Sequence, residues 1–261
     1  MMILKNCKEY ATIWKAAIKK KVDNMDNKPI LTIVQVGDVE ASNRYVRNKM
    51  NDCDAVGIVA QHVICPIEIT TEELIELIDS KQYRSDGVIV QLPLPDHIDT
   101  SRVTAAINPL KDVDGFRSDS KFKPCTPGGI MKYLEYCGWD PIGKNVTIIG
   151  RSDIVGKPLA RMMTDADATV TLCHSKTQHI DHHLRTADLI VTAVGKAKFL
   201  NCYAIHKPVI DVGINFDENG KLCGDCVNIE NRDVTPVPGG VGLLTRCMLL
   251  ENVVEAAYGN Q

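Results

Sequence analysis

The stretch Asn145-Val-Thr-Ile-Ile-Gly150-Arg-Ser-Asp-Ile-Val-Gly156-Lys-Pro158-Leu-Ala-Arg161 decides the fold of this chain. Within it, an apolar run from Val146 to Ile149 stops at Gly150, and Gly156 and Pro158 can open a helix after the loop. Proline suits the first helical turn because its missing N–H has no helical partner there. The stretch therefore predicts a strand, a tight turn and a helix, where glycines and the helix N-terminus favour a phosphate. Its spacing is not G-x-G-x-x-G, so an ordinary strand-to-helix loop is the alternative.

The segment after this turn favours a dinucleotide site. A second strand-like run, Ala168 to Cys173, ends at His174-Ser175-Lys176-Thr177. Dinucleotide-binding folds place the residue that selects the adenosine ribose at the end of the second strand, roughly 20 residues past the glycine turn. NAD sites carry Asp or Glu there, whereas this chain has a hydroxyl and a cation, with Arg151 in the first loop. Because a hydroxyl and positive charge suit a 2′-phosphate, we predict NADP as the cofactor.

A rhythm of strand-like and helix-like segments runs along the whole chain. In the second half, apolar runs over 188–195 and 208–213 continue it, and a helix over 245–257 closes the chain. The elements predicted for the first half are a helix over 4–22, a strand over 30–36, a helix ending near 56, a strand over 57–65, a helix opened by 70–73, a strand over 86–91 and a helix over 124–136. Such repetition predicts an α/β protein with parallel sheets covered by helices.

Composition describes the class of protein. The chain has 261 residues, a formal net charge of −3 and ten cysteines. The charge does not indicate nucleic acid or an anionic membrane as a partner, and no apolar run approaches the roughly 20 residues of a spanning helix. Without a secretory signal at the N-terminus, the cysteines are expected to be reduced in a cytoplasmic enzyme. Cys223 and Cys226 have redox or metal spacing but no second pair, and His174, His182 and His183 have no nearby ligand, so we assign no metal site.

Four polar side chains are candidates for chemistry. Tyr45 and Lys49 are four residues apart and share a helix face, and a lysine in a partly dry cleft can act as a general acid or base. Gln91 ends an apolar strand, where open α/β sheets place ligand-binding groups. Asp114 follows Asp112 in a turn and could accept two hydrogen bonds from the N–C–NH₂ edge of a heterocycle. Taken singly, each has a structural alternative: surface packing, a satisfied strand-end amide, or a turn-stabilising carboxylate.

Seven sequence motifs, taken together and in this order along the chain, match the pattern of one protein family. They are Ser42-x-x-Tyr45-Val-Arg-Asn-Lys49, Val90-Gln91-Leu-Pro-Leu-Pro95, Lys111-Asp-Val-Asp114-Gly115, Pro124-Cys-Thr-Pro-Gly-Gly129, Gly150-Arg-Ser-x-x-Val-Gly-x-Pro158, Cys173-His-Ser-Lys-Thr177 and Thr235-Pro-Val-Pro-Gly-Gly-Val-Gly242. In these motifs the chain resembles the methylenetetrahydrofolate dehydrogenase/cyclohydrolase family over nearly its whole length.

The resemblance implies a homodimer of two-domain chains with a cleft between the domains. Residues 1–137 with 240–261 would form the folate-binding catalytic domain, and residues 138–239 a Rossmann-type NADP-binding domain. The implied reactions are oxidation of 5,10-methylenetetrahydrofolate to the methenyl form by NADP, then hydrolysis to 10-formyltetrahydrofolate. Hydride transfer needs mainly the orientation of two rings, whereas the hydrolytic step needs a group that passes protons near neutral pH.

The resemblance also implies roles for single residues. Lys49 would be the acid/base of the hydrolytic step, with Gln91 tuning it, Tyr45 stacking on the folate and Asp114 holding the pterin edge. The implied substrate-binding residues are Ser42, Tyr45, Gln91, Leu92, Pro93, Asp114, Pro238 and Gly239. The implied cofactor-binding residues are Gly150, Arg151, Ser152, Val155, Gly156, Pro158, His174, Ser175, Lys176, Ala193, Val194, Gly195, Gly213, Ile214 and Thr235.

The chain departs from the family pattern in three places. The connector Phe116 to Lys123 is short and lacks an Asn-x-Gly-[Arg/Lys]-Leu element, Leu243-Leu244-Thr245 replaces Pro-Met-Thr, and Gly224-Asp225-Cys226-Val227 replaces the usual Gly-Asp-Val segment. Two alternatives therefore stand beside the bifunctional enzyme. One is a dehydrogenase of the same family with weak cyclohydrolase activity, and the other is a non-catalytic paralogue that binds folate or NADP.

Overall fold

A computed structural model describes residues 4–202, 205–230 and 233–259. The chain forms two compact units, here called the first unit, Ile13–Cys125 with Arg246–Gln261, and the second unit, Met1–Thr12 with Thr126–Thr245. The boundary falls within α1 (Cys7–Asp23), at the start of α5 (Cys125–Tyr136) and within α8 (Val241–Gly259). Among the described residues, no helix combines the length and apolar content that crossing a bilayer requires.

The first unit contains a three-stranded parallel sheet in the order β2-β1-β3. Its strands are β1 (Ile30–Val36), β2 (Val59–Cys65) and β3 (Gly87–Val90), and its further helices are α2 (Glu40–Val56), α3 (Thr71–Gln82) and α4 (Thr100–Ala106). One core cluster is made by residues of the strands, α3, α4 and the segments that flank α4, namely Val34, Val36, Cys65, Leu74, Ile78, Val88, Val90, Ile98, Val103 and Ile107. The central strand β1 is almost entirely buried, as the apolar run over 30–36 predicts for a parallel sheet.

Local signals account for most helix boundaries in this unit. Thr70 and Glu73 form a complete capping box at the start of α3, as the sequence predicts. Gly57, with φ of 86°, ends α2 in the left-handed conformation. Helix α4 was not predicted, because a helix of seven residues is too short to show a helical period, although the Asp99 carboxylate accepts from the N–H groups of Ser101 and Arg102.

The second unit contains a four-stranded parallel sheet in the order β5-β4-β6-β8. Its strands are β4 (Asn145–Ile149), β5 (Thr169–Cys173), β6 (Leu189–Thr192) and β8 (Val209–Asp211), with α6 (Gly156–Asp165) after β4 and α7 (Ile180–Thr186) after β5. Short pairings complete it: β7 (Leu200–Asn201) with β11 (Cys226–Val227), and β9 (Asn215–Phe216) with β10 (Leu222–Cys223). The chain leaves β4 for β5 on one side and continues to β6 and β8 on the other, which is the order of a Rossmann-type sheet.

Helix α5 agrees with its predicted bounds to within one residue, whereas α8 is longer than predicted. The last helix begins at Val241 rather than at Thr245, because Val241 and Leu244 already lie in the core of the second unit. Helix α5 packs in that same core through Ile130 and Tyr133, so the second unit includes residues that we assigned by function to the folate domain. The prediction of a cleft between the domains stays a prediction.

Candidate functional site

Lys49 and Gln91 meet at the carboxyl end of the sheet in the first unit. Lys49 lies on α2, and Gln91 follows β3 directly, its backbone N–H donating to the Val34 carbonyl at 2.8 Å. The Lys49 Nζ donates to Gln91 Oε1 at 3.1 Å. Both side chains are partly buried, so the ammonium is held by an amide beside the strand ends rather than extended into solvent. The sequence predicts this pairing only through the family resemblance, because 42 residues separate the two side chains.

The Gln91 side chain has one favourable orientation. Its Nε2 donates to the Leu92 carbonyl at 2.7 Å, while its Oε1 accepts from Lys49. Rotating the amide by half a turn would place NH₂ against the ammonium and an oxygen against the carbonyl, which makes two repulsive contacts. The peptide bond between Leu92 and Pro93 is cis. Gln91 therefore fixes the direction of the lysine, and the chain behind Gln91 fixes the glutamine.

Asp114 lies in a loop that is held at both ends by one side chain. Asn252 of α8 donates its amide hydrogens to the carbonyls of Val113, at 2.8 Å, and Lys123, at 2.9 Å. Gly115 has φ of 69°, and a side chain there would meet the backbone of Pro124. The backbone near residues 113–115 therefore lies against the backbone near residues 123–124. Asp114, within this loop, is buried at 7% exposure.

The pKa of the buried Cys125 thiol is affected by burial and by charged groups of the same unit. Burial raises its pKa well above the ordinary value, and the Asp114 carboxylate raises it further, while the Lys49 ammonium acts in the opposite direction. The charges of Lys49 and Asp114 therefore shift the pKa of this thiol in opposite directions. The neighbouring Asp112 is also affected by burial, which raises its pKa although the backbone N–H groups of Phe116 and Arg117 donate to its carboxylate.

Helix α2 holds the other predicted residues of this site. Tyr45, one turn before Lys49, is 37% exposed, and partial burial raises its pKa, which favours the neutral phenol. Ser42 is half-buried near the start of the helix. At the other end, Asp52 forms ion pairs with Lys15 of α1 and with Arg246 of α8, the latter at 3.1 Å. These ion pairs anchor the helix that carries Tyr45 and Lys49.

The second unit places the predicted phosphate turn between β4 and α6. Gly150 has φ of 115°, and a side chain there would lie 2.2 Å from the carbonyl oxygen of Ala193. The Ser152 hydroxyl accepts from the backbone N–H groups of Val155, at 3.2 Å, and Gly156, at 3.4 Å. The helix opens at Gly156, so Pro158 lies in its first turn as predicted. Arg151 and Ser152 are both exposed at this end of the sheet.

Residues His174 to Thr177, which were predicted to contact the adenosine ribose and its 2′-phosphate, form a compact turn after β5. The His174 N–H donates to the Thr177 hydroxyl at 2.9 Å, and the Thr177 N–H donates to the His174 carbonyl at the same distance. The Lys176 N–H donates to Nδ1 of His174 at 3.2 Å, which places the ring hydrogen on Nε2. The turn presents Ser175 and Lys176 to solvent.

The remaining predicted residues of the second unit divide into exposed and buried groups. Val194, Gly195 and Ile214 are exposed in the loops after β6 and β8, with Ala193 and Gly213 beside them. Thr235 differs, because it is only 1% exposed and its hydroxyl accepts from the Asp211 N–H at 2.8 Å. Pro238, in a cis peptide bond, and Gly239, with φ of 100°, lie in the turn before α8, with the side chain of Lys8 against Gly239.

These groups fit an NADP molecule. Ser152 accepts two backbone hydrogens, which leaves its O–H able to donate to a phosphate at the N-terminus of α6. The turn after β5 has a hydroxyl and an ammonium exposed, and residues 174–177 include no carboxylate that would repel a 2′-phosphate. The residues that would hold the adenosine phosphates are therefore Arg151, Ser152, Ser175 and Lys176.

Three buried side chains that support these sites were not among the sequence candidates. Asn252 and Asp225 are 0% exposed, and Cys125 is 3% exposed. Asn252 follows Glu251 in an otherwise apolar helix segment, Leu249-Leu250-Glu251-Asn252-Val253-Val254, and an amide in such a segment indicates a buried hydrogen-bonding role. That signal could have identified Asn252, whereas its partners in the Asp114 loop could not be known before the fold.

A methyl group at Gly156 is expected to lower the free energy of unfolding by about 3 kcal/mol. The added carbon would lie 2.0 Å from the carbonyl oxygen of Gly150, a backbone atom that cannot move without disturbing the turn. Gly242→Ala is the matched control, because Gly242 is also helical and has no atom within 4 Å of the added carbon. That variant should gain about 0.5 kcal/mol. Urea unfolding measures both changes, and equal midpoints would contradict the close approach.

Comparison with known proteins places the chain in a family. A family model described as "Tetrahydrofolate dehydrogenase/cyclohydrolase, catalytic domain" matches residues 6–114, and the corresponding "NAD(P)-binding domain" matches residues 124–261. The chain is 44% identical to the bifunctional protein FolD of Ruthia magnifica, with 97% of each chain covered. It is 47% identical to that of Lysinibacillus sphaericus, covering 88% of this chain and 87% of the relative.

A solved structure agrees with these matches. The bifunctional FolD methylenetetrahydrofolate dehydrogenase/cyclohydrolase of Campylobacter jejuni superposes with a TM-score of 0.93 at 38% identity, covering 98% of both chains. The parallel sheets of both units and the motif order are therefore those of one family. The chain is a member of the tetrahydrofolate dehydrogenase/cyclohydrolase family of bifunctional enzymes.

Proposed function

We propose that this chain oxidises 5,10-methylenetetrahydrofolate to the methenyl form with NADP and hydrolyses the product to 10-formyltetrahydrofolate, with Lys49 as the acid/base of the second reaction. The observation that carries the proposal is the contact of 3.1 Å between Lys49 and Gln91, in the same unit as the buried Asp114. Both reactions follow from membership of the family, whereas the residue roles are those that the family resemblance implies, and the geometry of the first unit supports them.

Lys49 can handle the protons of the hydrolytic step. Water adds to the cationic methenyl carbon and loses one proton, which leaves a hydroxyl on that carbon. The bond from that carbon to N5 then breaks as N5 gains a proton, and the hydroxyl loses its proton to become the formyl carbonyl, so that one proton is released overall. A neutral amine accepts the first proton and, as an ammonium, returns it. Gln91 Oε1 accepts from the ammonium and therefore keeps Nζ at one place through both transfers. The amide also has no charge that would trap the lysine in one protonation state.

The other predicted residues bind and orient the folate. The buried Asp114 carboxylate can accept two hydrogen bonds from the N–C–NH₂ edge of the pterin, and Asn252 keeps its loop in place. Tyr45 has enough exposed ring to stack on a planar heterocycle, and Ser42, Leu92 and Pro93 border the same strand ends. We assign Pro238 and Gly239, in the second unit, to the substrate by family motif alone.

The second unit binds NADP. Its nicotinamide accepts the hydride of the first reaction. Arg151, Ser152, Ser175 and Lys176 bind its phosphates, and the turns at Gly150 and Gly156 let the backbone approach them. The FolD of Trypanosoma brucei, solved with an NADP cofactor and an inhibitor, is 29% identical over 99% of this chain with a TM-score of 0.91, which supports this choice of cofactor.

A two-wavelength assay separates the bifunctional enzyme from its alternatives. Formation of NADPH from NADP reports the oxidation, and decay of the methenyl chromophore reports the hydrolysis. Oxidation without hydrolysis would identify a monofunctional dehydrogenase, against which the retained Tyr45, Lys49 and Gln91 argue. If neither activity is found but folate or NADP raises the melting temperature, the chain is a binding protein.

We also propose that two copies of the chain associate as a homodimer through β2. This strand is at the edge of its sheet, and among the described residues it pairs with β1 alone. Edge strands present unpaired backbone groups to other chains, and Val59 and Ile64 are exposed here at 43% and 56%. Pairing of β2 with its symmetric copy would cover both features.

Ile64→Lys is therefore expected to convert the dimer to a monomer of 28.8 kDa, because a lysine on an edge strand opposes pairing. Light scattering after size-exclusion chromatography measures the mass. Tyr83→Lys, at an exposed position after α3, is the control and should leave the dimer intact. A dimer that survives Ile64→Lys would place the interface elsewhere, and a monomeric wild-type chain would reject the dimer.

Two broader expectations belong to the same proposal. Folate binding by residues 1–137 with 240–261, and NADP binding by residues 138–239, stay predictions about how the chain divides its functions. Most of the ten cysteines are buried, and in the described part of the chain none of them forms a disulfide, which agrees with a reducing compartment such as the cytoplasm.

A further inference from the structure

Asp225, between the short strands β10 and β11, is a completely buried carboxylate with an unusual set of partners. It is 0% exposed and accepts five hydrogen bonds. The donors are the Thr192 hydroxyl at 3.0 Å, the backbone N–H groups of Val194 at 2.7 Å, Gly195 at 3.3 Å and Lys196 at 2.9 Å, and the Asn215 amide at 3.0 Å. One side chain therefore ties the loop after β6 to the start of β9.

The cost of burying a carboxylate makes this arrangement informative. Moving such a group out of water is strongly unfavourable unless hydrogen bonds replace its hydration. Here the replacement comes mainly from three consecutive backbone N–H groups, at residues 194–196. An apolar side chain of similar size would leave those donors unpaired inside the protein. Asp225 therefore determines the conformation of that loop.

A second buried aspartate holds Asp225 itself in place. Asp211, at the end of β8, accepts from the backbone N–H groups of Asp225 at 3.0 Å, Cys226 at 2.9 Å and Gly213 at 2.9 Å. The two glycines at this crossing leave no room for side chains. A carbon added to Gly213 would lie 2.3 Å from Asp225 Oδ1, and one added to Gly224 would lie 2.1 Å from Asp211 Oδ2.

The hydrogen bonds to Asp225 orient the peptide planes of the loop. The N–H and C=O of a trans peptide point in opposite directions. Because the N–H groups of Gly195 and Lys196 point at Asp225, the carbonyls of Val194 and Gly195 point away from it. Val194 and Gly195 are exposed, so the loop offers acceptors to a ligand. A ligand group with an N–H or O–H can donate to these carbonyls, whereas an anionic phosphate would be repelled by them.

The order of the strands assigns this loop to one half of the dinucleotide. The sheet runs β5-β4-β6-β8, with the predicted adenosine turn after β5 and the phosphate turn after β4. A dinucleotide crosses such a sheet at the point where the order reverses, so its second half lies over β6 and β8. We propose that Asp225 is the positioning residue for the nicotinamide half of the cofactor, an inference that rests on the NADP site proposed above. In this arrangement the nicotinamide half donates hydrogen bonds to the carbonyls of the loop over 194–195.

Asp225→Asn tests this directly, because the amide keeps the size of the side chain but directs two hydrogens at the donors. The dissociation constant of NADP should rise about tenfold or more, since small displacements of a binding loop have effects of this order. Adenosine 2′,5′-bisphosphate has the adenosine phosphates and no nicotinamide, so its dissociation constant should stay within about twofold of the wild-type value. Titration by calorimetry measures both probes.

Two further variants guard against a general loss of folding. Thr192→Val removes one hydroxyl bond to Asp225 at nearly constant volume and should weaken NADP severalfold, again without changing binding of the bisphosphate. Asp188→Asn is the matched control, because Asp188 accepts from the Asn145 N–H at 2.9 Å at the opposite end of the same sheet. It should bind both probes as the wild-type chain does.

The outcomes distinguish this inference from the proposed function. If the wild-type chain binds neither probe, the NADP site itself is rejected. If the wild-type chain binds both, and Asp225→Asn and Thr192→Val weaken both equally or neither, the positioning role is overturned. Selective loss of NADP affinity in these two variants, with Asp188→Asn unchanged, supports it.

Discussion

Replacing Lys49 by alanine is expected to lower the rate of methenyltetrahydrofolate hydrolysis by about 10³-fold, within the range that a positioned acid or base contributes. The methyl group left behind can neither accept the proton of the attacking water nor return one to N5. Gln91, whose Oε1 loses its partner, has no titratable group to replace the amine. The loss should therefore appear in the hydrolytic rate itself, whereas the affinity for NADP should stay unchanged.

The decay of the methenyl chromophore, with NADP omitted, measures the hydrolysis alone. Arg47→Ala is a suitable control, because Arg47 is an exposed cation on the same helix and should leave the rate within about twofold, as surface changes usually do. Wild-type hydrolysis in Lys49→Ala would remove this lysine from the mechanism. A comparable loss in Arg47→Ala would show that helix α2 is merely sensitive to substitution.

Elements with strong local signals could be predicted from the sequence. The bounds of β1 agree fully because an apolar run lies between Pro29 and Gly37, and α3 begins where its capping box predicts. The phosphate turn was predicted because its glycines are close together in the sequence, and the structure shows why Gly150 must be a glycine. In each case the determining contacts join residues that are near one another along the chain.

Elements and roles that depend on distant contacts could not be predicted in this way. Asn252 binds the Val113 carbonyl across 139 residues, and no property of the helix sequence identifies that partner. For Thr235, the sequence motif was informative but the contacts of the side chain could not be predicted. Its motif indicates a cofactor residue, yet its hydroxyl is bonded to the backbone of Asp211. A motif therefore locates a functional neighbourhood but does not separate residues that touch a ligand from residues that support them.

Removing two cations, in the double variant Arg151→Ala with Lys176→Ala, is expected to lower kcat/KM for NADP by about 100-fold. Each cation can donate a charge-assisted hydrogen bond to the 2′-phosphate, and such a bond to an exposed partner is worth about tenfold in binding. NAD lacks this phosphate, so its kcat/KM should change by no more than about twofold. The preference of the wild-type enzyme for NADP should also decrease at high salt, because exposed charges are screened.

Reduction of each nicotinamide nucleotide, followed by absorbance, measures both ratios on the same preparation. Arg161→Ala provides the control, since Arg161 is an exposed cation on α6, beyond the turn that ends at Pro158, and lies 3.8 Å from the Asp165 carboxylate. That variant should keep the preference for NADP. A wild-type enzyme that prefers NAD would reject the reading of Ser175 and Lys176 as a phosphate site. A double variant that loses NADP and NAD activity equally would show that these cations support the turn and do not select the cofactor.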